Sequence, residues 1–217
     1  MKDRASYLTI LEALTFSGIV ALFIWRWQLA YPKSWIIFPV WLIASFLIHR
    51  DTPKTLGWRA DNLWPATRQG LAFFAVSVAA VGVIGLLLGA LHHLPARLID
   101  ERRFVGYFSF CLLQQIAVNS YLMNRFLSSV KAPWASALLA SAIFGALHWP
   151  NPVLMPVTFI GGFVMCLLFA RQRNILPLTL GQSILGGLVW WAFPISWHHG
   201  MRVGPGYYSF AQRLVTW

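Results

Sequence analysis

Residues 144–152 read Phe-Gly-Ala-Leu-His-Trp-Pro-Asn-Pro and place one imidazole, His148, at the end of a long apolar run. Pro150 and Pro152 predict that the helix stops here, because proline cannot continue the hydrogen bonding of a helix backbone. A polar side chain within a membrane helix is costly and usually faces the interior of a bundle. We therefore expect His148 to face other helices and not lipid.

Two other apolar runs carry amides in mid-span, namely the adjacent pair Gln114 and Gln115, and Gln182. Asn119 follows Gln115 by one helical turn, so the two side chains can share a face. We predict that the three segments converge on His148 and enclose a polar chamber within the bilayer. The alternative for the paired glutamines is hydrogen bonding between helices that only holds the bundle together.

The composition indicates an all-α, polytopic membrane protein. Hydrophobic residues make up 58% of the 217 residues and charged residues only 11%, whereas soluble domains have about 25% charged residues. Helices of about 20 residues would allow roughly seven or eight spans in a single domain, 1–217. The apolar runs predict helices at 7–27, 35–48, 70–91, 104–127, 132–149, 153–170 and 175–193.

The formal net charge of +11 favours anchoring to anionic lipid. No soluble basic domain is visible, so we expect no nucleic-acid partner and take membrane lipids as partners. Arg125 and Lys131 are interpreted as lipid anchors, and the connection 49–69, with Trp58 and Trp64, as a piece lying on the membrane surface. Lys and Arg placement favours a cytoplasmic N-terminus, and we expect a bacterial inner-membrane location.

Several smaller features have plain interpretations. The run 7–27 is longer than the apolar region of a signal peptide and no cleavage site follows it, so a retained helix is expected. The loop 92–103 begins with two histidines that we expect to be solvated. Residues 204–208, Gly-Pro-Gly-Tyr-Tyr, predict a turn. Cys111 and Cys166 lie in apolar runs without metal-ligand spacing and are interpreted as small buried hydrophobes.

Glu12 is the only acid inside an apolar run. A lone carboxylate near a helix end is usually hydrogen-bonded or reaches towards the interface, yet Glu12 is also the one candidate for a general base in the membrane. His148 has no companions at ligand spacing, and a zinc site needs three or four His, Cys or carboxylate ligands. We therefore expect no metal and no other cofactor.

Three stretches together resemble the CAAX protease and bacteriocin-processing (CPBP, or Abi) family of intramembrane endopeptidases. Its motifs are Glu-Glu-x-x-x-Arg, Phe-x-x-x-His and His-x-x-x-Asn on successive membrane helices. They align with 114–119, with 144–148 and with 182–186. Thr55-Leu-Gly-Trp-Arg59 also resembles a segment that precedes a membrane helix in the family. The resemblance covers about 53–187 and implies the family's helical fold and proteolysis within the membrane, on a prenylated or other membrane peptide.

The alignment also shows departures from the motifs, because only Phe144 and His148 keep the family's residue types. The resemblance implies that a glutamate activates water while histidine and asparagine stabilise an oxyanion. Here the aligned positions are Gln114 and Gln115 for the glutamates and Asn119 for the arginine, with Gln182 and Gly186 for the third motif. An amide has no useful basicity near neutral pH, so none of these can act as the base.

Three hypotheses follow. In the first, the chain is an endopeptidase whose catalytic residues differ from those of the family, with Glu12 or His148 as the base. Its remaining site residues are Gln114, Gln115, Asn119 and Gln182. Alternatively it is a pseudoprotease that binds a membrane peptide or protein through these amides. A third possibility is an enzyme acting on a lipid or isoprenoid in an apolar cavity, where Glu12 would be the acid.

Overall fold

The computed structural model describes residues 2–89 and 101–215, and the regular structure in these ranges is helical, without strands. The first helix continues through a wider π turn, Phe23–Trp27, and the second is preceded by a 3₁₀ turn, Pro32–Ile36. The helices, numbered in chain order, are α1 Lys2–Leu22, α2 Ile37–Ile48, α3 Pro53–Leu56, α4 Leu63–Leu87, α5 Glu101–Gln115, α6 Asn124–Val130, α7 Pro133–Ala146, α8 Leu154–Gln172, α9 Leu176–Ala192, α10 Ile195–His198 and α11 Pro205–Val215.

Large apolar side chains cover the outside of the bundle. Leu29, Ile48 and Leu87 are each more than three quarters exposed, an arrangement that a lipid surrounding stabilises. Within the described residues, three helices are long and apolar enough to cross a membrane, namely Ser6–Ala30, Leu63–Leu87 and Leu154–Gln172. Two shorter apolar helices lie at Pro32–Ile48 and Pro133–Ala146. The all-helical membrane class is thus confirmed, and the number of seven or eight spans stays a prediction.

A single long helix forms the centre of the bundle. α5 continues through a π-helical segment, Ile116–Met123, directly into α6. Its buried side chains form the core where this helix meets α1, α7 and α8, around Tyr121, Phe126 and Phe169. Cys111 and Cys166 are fully buried and are not joined by a disulfide bond, as expected of small hydrophobes.

The predicted start of the third long helix at residue 70 is wrong, because α4 begins at Leu63. Its first two turns carry Trp64 and Arg68, which are exposed. Hydropathy marks only the part of a helix that lies in lipid, so a helix that extends beyond the apolar layer is predicted too short. Of the predicted loop 92–103, residues 92–100 lie outside the described residues, and α5 already begins at Glu101.

The linker between α2 and α4, residues 49–62, is fixed by hydrogen bonds that its backbone carbonyls accept from other parts of the bundle. The Asn124 amide donates to the Thr55 carbonyl at 2.8 Å, and the Ser120 hydroxyl donates to the Leu56 carbonyl at 2.5 Å. The backbone N–H of Ile175 donates to the Gly57 carbonyl at 3.1 Å. The linker therefore packs across the ends of α6 and α9, while the ring of Trp58 remains exposed.

The predicted turn at 204–208 is also wrong, since these residues begin α11. Pro205 stands at the first position of that helix, where its missing N–H costs nothing and its fixed φ suits the helix. Gly204 precedes it with a φ of +55°. A Gly-Pro-Gly sequence is typical of turns, and the same Pro can start a helix when the residues after it continue one.

Candidate functional site

Four amide side chains form one continuous hydrogen-bonded chain between α5, the π segment and α9, which we call the amide ladder. The Asn119 amide donates to the Gln115 oxygen at 2.5 Å, and the Gln115 amide donates to the Gln182 oxygen at 2.6 Å. The Gln182 amide then donates to the Gln114 oxygen at 2.6 Å. The structure thus brings together the four amides that the sequence placed near one another.

The ladder has a direction, because every amide donates its N–H towards Gln114. Gln115 and Asn119 are buried, whereas Gln114 and Gln182 are half-buried. The Gln115 nitrogen also lies 3.3 Å from the Met165 sulfur of α8. At the other end, the buried Asn119 oxygen accepts no hydrogen bond from any residue that the structure describes. The ladder therefore begins with an unused acceptor in the core and ends with the Gln114 amino group at its more exposed end.

His148 lies in the turn that follows α7, one turn past Phe144. Its Nδ1 lies 2.7 Å from the Phe144 carbonyl oxygen, and since a carbonyl can only accept, Nδ1 carries the proton. In the neutral ring this leaves a lone pair on Nε2. The Phe144 ring packs edge-on against the imidazole, with 4.9 Å between ring centroids. Among the described residues, no hydrogen bond joins the imidazole to the amide ladder.

Asn151 fixes the turn that carries His148. Its side-chain oxygen accepts the N–H groups of Val153 and Leu154 at 3.1 and 2.9 Å, which caps the start of α8. Its amide nitrogen donates to the carbonyls of His198 and Arg202 at 2.8 and 2.9 Å. Asn151 is therefore a cap residue that lies between two prolines. We call this set of bonds, which ties the C-terminal residues 198–204 to the turn, the tail clamp.

Glu12 lies in a separate polar network between α1, α2 and α6. The Ser45 hydroxyl and the Tyr121 hydroxyl, the latter at 3.2 Å, donate to Glu12 Oε1. The His49 ring nitrogen lies 2.8 Å from Oε2. Tyr121 and Asn119 are two residues apart on one helix and so point to nearly opposite sides. The carboxylate is therefore engaged on the side of the central helix away from the amide ladder.

The expectation that Arg125 anchors to lipid is wrong. Arg125 is only 2% exposed, and its guanidinium pairs with Asp51 at 2.7 Å and lies 3.8 Å from Glu12. It also donates to the Ser45 hydroxyl at 2.9 Å. A buried guanidinium is tolerated when its donors are paired, and here two carboxylates supply the partners. The lipid-anchor role of Lys131, which is exposed, stays a prediction.

This arrangement can bind polar groups, and its amides cannot accept a proton from water near neutral pH. The groups of the ladder are donors and acceptors for a carbonyl, a backbone amide or a water molecule. The basic lone pair in this region belongs to His148, and the carboxylate of Glu12 is held in the polar network with Arg125.

The polar network around Glu12 and the tail clamp were not predicted. The occurrence of Glu12 and Arg125 within predicted spans was a usable signal, because charges in membrane helices are usually paired.

The helices and the amide-lined contact define an integral membrane protein with a polar site between helices. Residues 104–186 match the family model described as Type II CAAX prenyl endopeptidase Rce1-like. No curated protein and no solved structure gave a significant match. Over residues 104–186 the chain is therefore similar to this CAAX protease family model, and the resemblance seen in the three motifs is confirmed over that segment.

Proposed function

We propose that this membrane protein binds a prenylated or similar membrane peptide at the amide ladder and does not cleave it. The matched family model names a CAAX prenyl endopeptidase, which supports a peptide bearing a prenyl group as the ligand class. Gln114, Gln115 and Gln182 replace ionisable groups of the aligned motifs with amides of similar size. The replacements keep hydrogen-bonding capacity and remove the ability to move a proton.

The observation that carries this proposal is the amide ladder itself. A base in this position would be a carboxylate that holds a water molecule, whereas the Gln114 and Gln115 oxygens accept N–H groups from Gln182 and Asn119. Glu12, the alternative base, is bonded to Ser45, His49 and Tyr121. These contacts favour a site that binds a peptide backbone through amide groups over a site that activates water for hydrolysis.

The test is binding of a fluorescent farnesylated CAAX peptide to the full chain in proteoliposomes, measured by fluorescence anisotropy. Gln182→Ala removes the amide that joins Gln115 to Gln114, so both glutamines lose the partner that orients them, and binding should weaken by about tenfold. The matched control is Gln28→Ala, because Gln28 lies outside the ladder, on the short helical segment Gln28–Ala30 that follows the π turn. Equal binding by Gln182→Ala and the wild-type chain would contradict the proposal.

Hydrolysis with His148 as the base is the second candidate function. The Nδ1 contact with the Phe144 carbonyl supports it, since a neutral ring held this way has a basic Nε2. In that case the farnesylated peptide would be shortened by the wild-type chain, and His148→Ala would abolish the shortened product. Cleavage that continues in His148→Ala would eliminate this candidate.

A lipid or isoprenoid enzyme has weaker support. An apolar groove of about 420 Å³ lies beside Glu12 and is lined by α2 residues such as Val40, Trp41 and Ile48. An acid that starts such a reaction would have to be protonated, whereas Glu12 faces His49 and the buried Arg125. The positive charge of Arg125 nearby favours the ionised carboxylate.

A further inference from the structure

A cavity of about 500 Å³ lies between the start of α8, the end of α9 and the two C-terminal helices. Its walls are mostly apolar side chains and include Val153, Pro156, Val157, Phe193, Trp197 and Tyr207. Pockets that bind small molecules have volumes of about 300–1,000 Å³ and mostly apolar walls. This cavity, which we call the tail pocket, is therefore large enough to hold a hydrocarbon group.

A proline and the tail clamp build the pocket. Pro194 disfavours the helical conformation of the residue before it, so α9 ends and Phe193 is extended, with a φ of −109° and a ψ of 144°. Asn151, through the tail clamp, holds the following residues against the start of α8. The Tyr207 hydroxyl donates to the Trp197 carbonyl at 3.3 Å, which joins two of the aromatic walls.

The pocket borders the turn that carries His148 and shares α9 with the amide ladder. Pro152, four residues after His148, lines the pocket. Phe193 follows Gln182 by 11 residues, which corresponds to about 16 Å along the helix axis. An extended peptide covers that distance with about five residues. A short peptide is therefore long enough to contact the ladder and to place an attached hydrocarbon group in the pocket.

This part of the molecule has the charge that suits an anionic ligand. No Asp or Glu follows Glu101 in the sequence, so every residue that lines the pocket belongs to a segment without acids. Arg202 is exposed, and its guanidinium lies 5.2 Å from the centre of the Phe210 ring, one turn along α11 from Tyr207. Within the described residues it forms no salt bridge. A free guanidinium of this kind can bind a carboxylate through two parallel hydrogen bonds.

We infer that the tail pocket binds the prenyl group of the membrane peptide and that Arg202 pairs with the C-terminal carboxylate of that peptide. This inference rests on the proposed function, because it takes the same class of ligand. It adds a binding site for the hydrocarbon group that lies outside the amide ladder and outside the aligned motif positions.

The first experiment measures binding of the farnesylated CAAX peptide and of the same peptide without the farnesyl group. Val157→Phe puts a ring into the pocket, and Trp197→Ala removes one of its walls. Each should weaken binding of the farnesylated peptide about tenfold, because apolar contact is lost, and should leave binding of the unmodified peptide unchanged. The matched control is Val76→Phe, since Val76 is 69% exposed on α4. Circular dichroism and gel filtration in detergent check that each variant is folded.

The second experiment tests the charge with a peptide whose C-terminus is either a free acid or an amide. Arg202→Gln keeps the backbone carbonyl that the tail clamp uses and removes the positive charge. It should weaken binding of the acid about 3- to 5-fold, the effect of an exposed ion pair, and should not change binding of the amide. Arg171→Gln, at the other end of α8, is the control. An equal loss with both peptides would overturn the pairing with the carboxylate.

The outcomes separate this inference from the proposed function. Undiminished binding of the farnesylated peptide by Val157→Phe and Trp197→Ala, with Gln182→Ala still impaired, overturns the tail pocket and leaves the proposed function standing. Native mass spectrometry that shows a phospholipid retained beside the peptide, and lost in Val157→Phe, would assign the pocket to lipid and overturn the inference. A folded wild-type chain that does not bind the peptide overturns both.

Discussion

At the scale of single residues, the charges inside the membrane are partners of one another. Arg125 pairs with Asp51 and approaches Glu12, and the exposed fraction of Arg125 is only 2%. The sequence places Arg125 74 positions from Asp51 and more than 100 from Glu12, so no local pattern links them. A positive charge near a helix end was therefore interpreted as a lipid anchor, and tertiary contact alone reveals the pair.

Replacing Arg125 by Met should lower the free energy of unfolding by about 3–5 kcal/mol, because Asp51 and Glu12 lose their shared positive partner. The measurement is thermal or denaturant unfolding in detergent, followed by tryptophan fluorescence. Arg68→Met is the control, since Arg68 is exposed on α4, and it should change the free energy by less than about 0.5 kcal/mol. An equal decrease in the free energy of unfolding for Arg125→Met and Arg68→Met would contradict the buried ion network.

Gly57→Ala should lower the free energy of unfolding by about 1–3 kcal/mol. Gly57 has a φ of +84°, and an added Cβ would lie 2.6 Å from a ring carbon of Phe169. The same unfolding assay measures this effect. Gly82→Ala is the matched control, because no heavy atom lies within 4 Å of a Cβ at that position. A Gly57→Ala variant as stable as Gly82→Ala would show that the linker is not packed as described.

At the scale of elements, the sequence predicted most helices and misplaced several ends. Pro133, at the start of α7, and Pro150, beyond its end, gave good boundaries because proline acts through the local backbone. The predicted start of α4 and the turn predicted where α11 begins were wrong, because polar or turn-forming residues occupy helical turns outside the apolar layer. The tail clamp could not be predicted, since Asn151 binds carbonyls about 50 residues away.

Asn151→Asp should release the C-terminal tail while keeping the cap of α8. The carboxylate can still accept the N–H groups of Val153 and Leu154, but it has no donors for the carbonyls of His198 and Arg202. Limited trypsin digestion in detergent should cut after Arg202 roughly tenfold faster, as expected for two lost hydrogen bonds. Cleavage after Arg171, an exposed residue at the other end of α8, is the internal control. Unchanged cleavage after Arg202 would contradict the clamp.

The tail should also loosen in acid through His198. Burial lowers the pKa of the His198 imidazole below its usual value of 6.5, and its Nδ1 accepts the Met201 N–H at 3.2 Å. The folded state therefore favours the neutral ring, so its stabilisation is complete above pH 6.5 and is lost as the pH falls towards the lowered pKa. The melting temperature should fall more between pH 7.5 and 5 for the wild-type chain than for His198→Gln. An equal fall in melting temperature for the two chains would contradict the role of His198.

At the scale of the whole molecule, the low charge and high hydropathy predicted the all-helical membrane class. The pairing of α5 with α9 was also foreseen, because polar side chains in mid-span had to find partners. The convergence of the three segments on His148 stays a prediction, since the hydrogen bond described for the imidazole goes to the Phe144 carbonyl and not to the amides. The family match over residues 104–186 agrees with the order of the motifs along the chain.

The central claim is that the site binds a prenylated peptide and leaves it intact. The most direct measurement is mass spectrometry of a farnesylated CAAX peptide after incubation with the purified full chain in proteoliposomes, with binding recorded in parallel. We expect a bound peptide of unchanged mass, with the same mass in His148→Ala. A shortened peptide that appears with the wild-type chain and disappears in His148→Ala would contradict the account and establish an active endopeptidase.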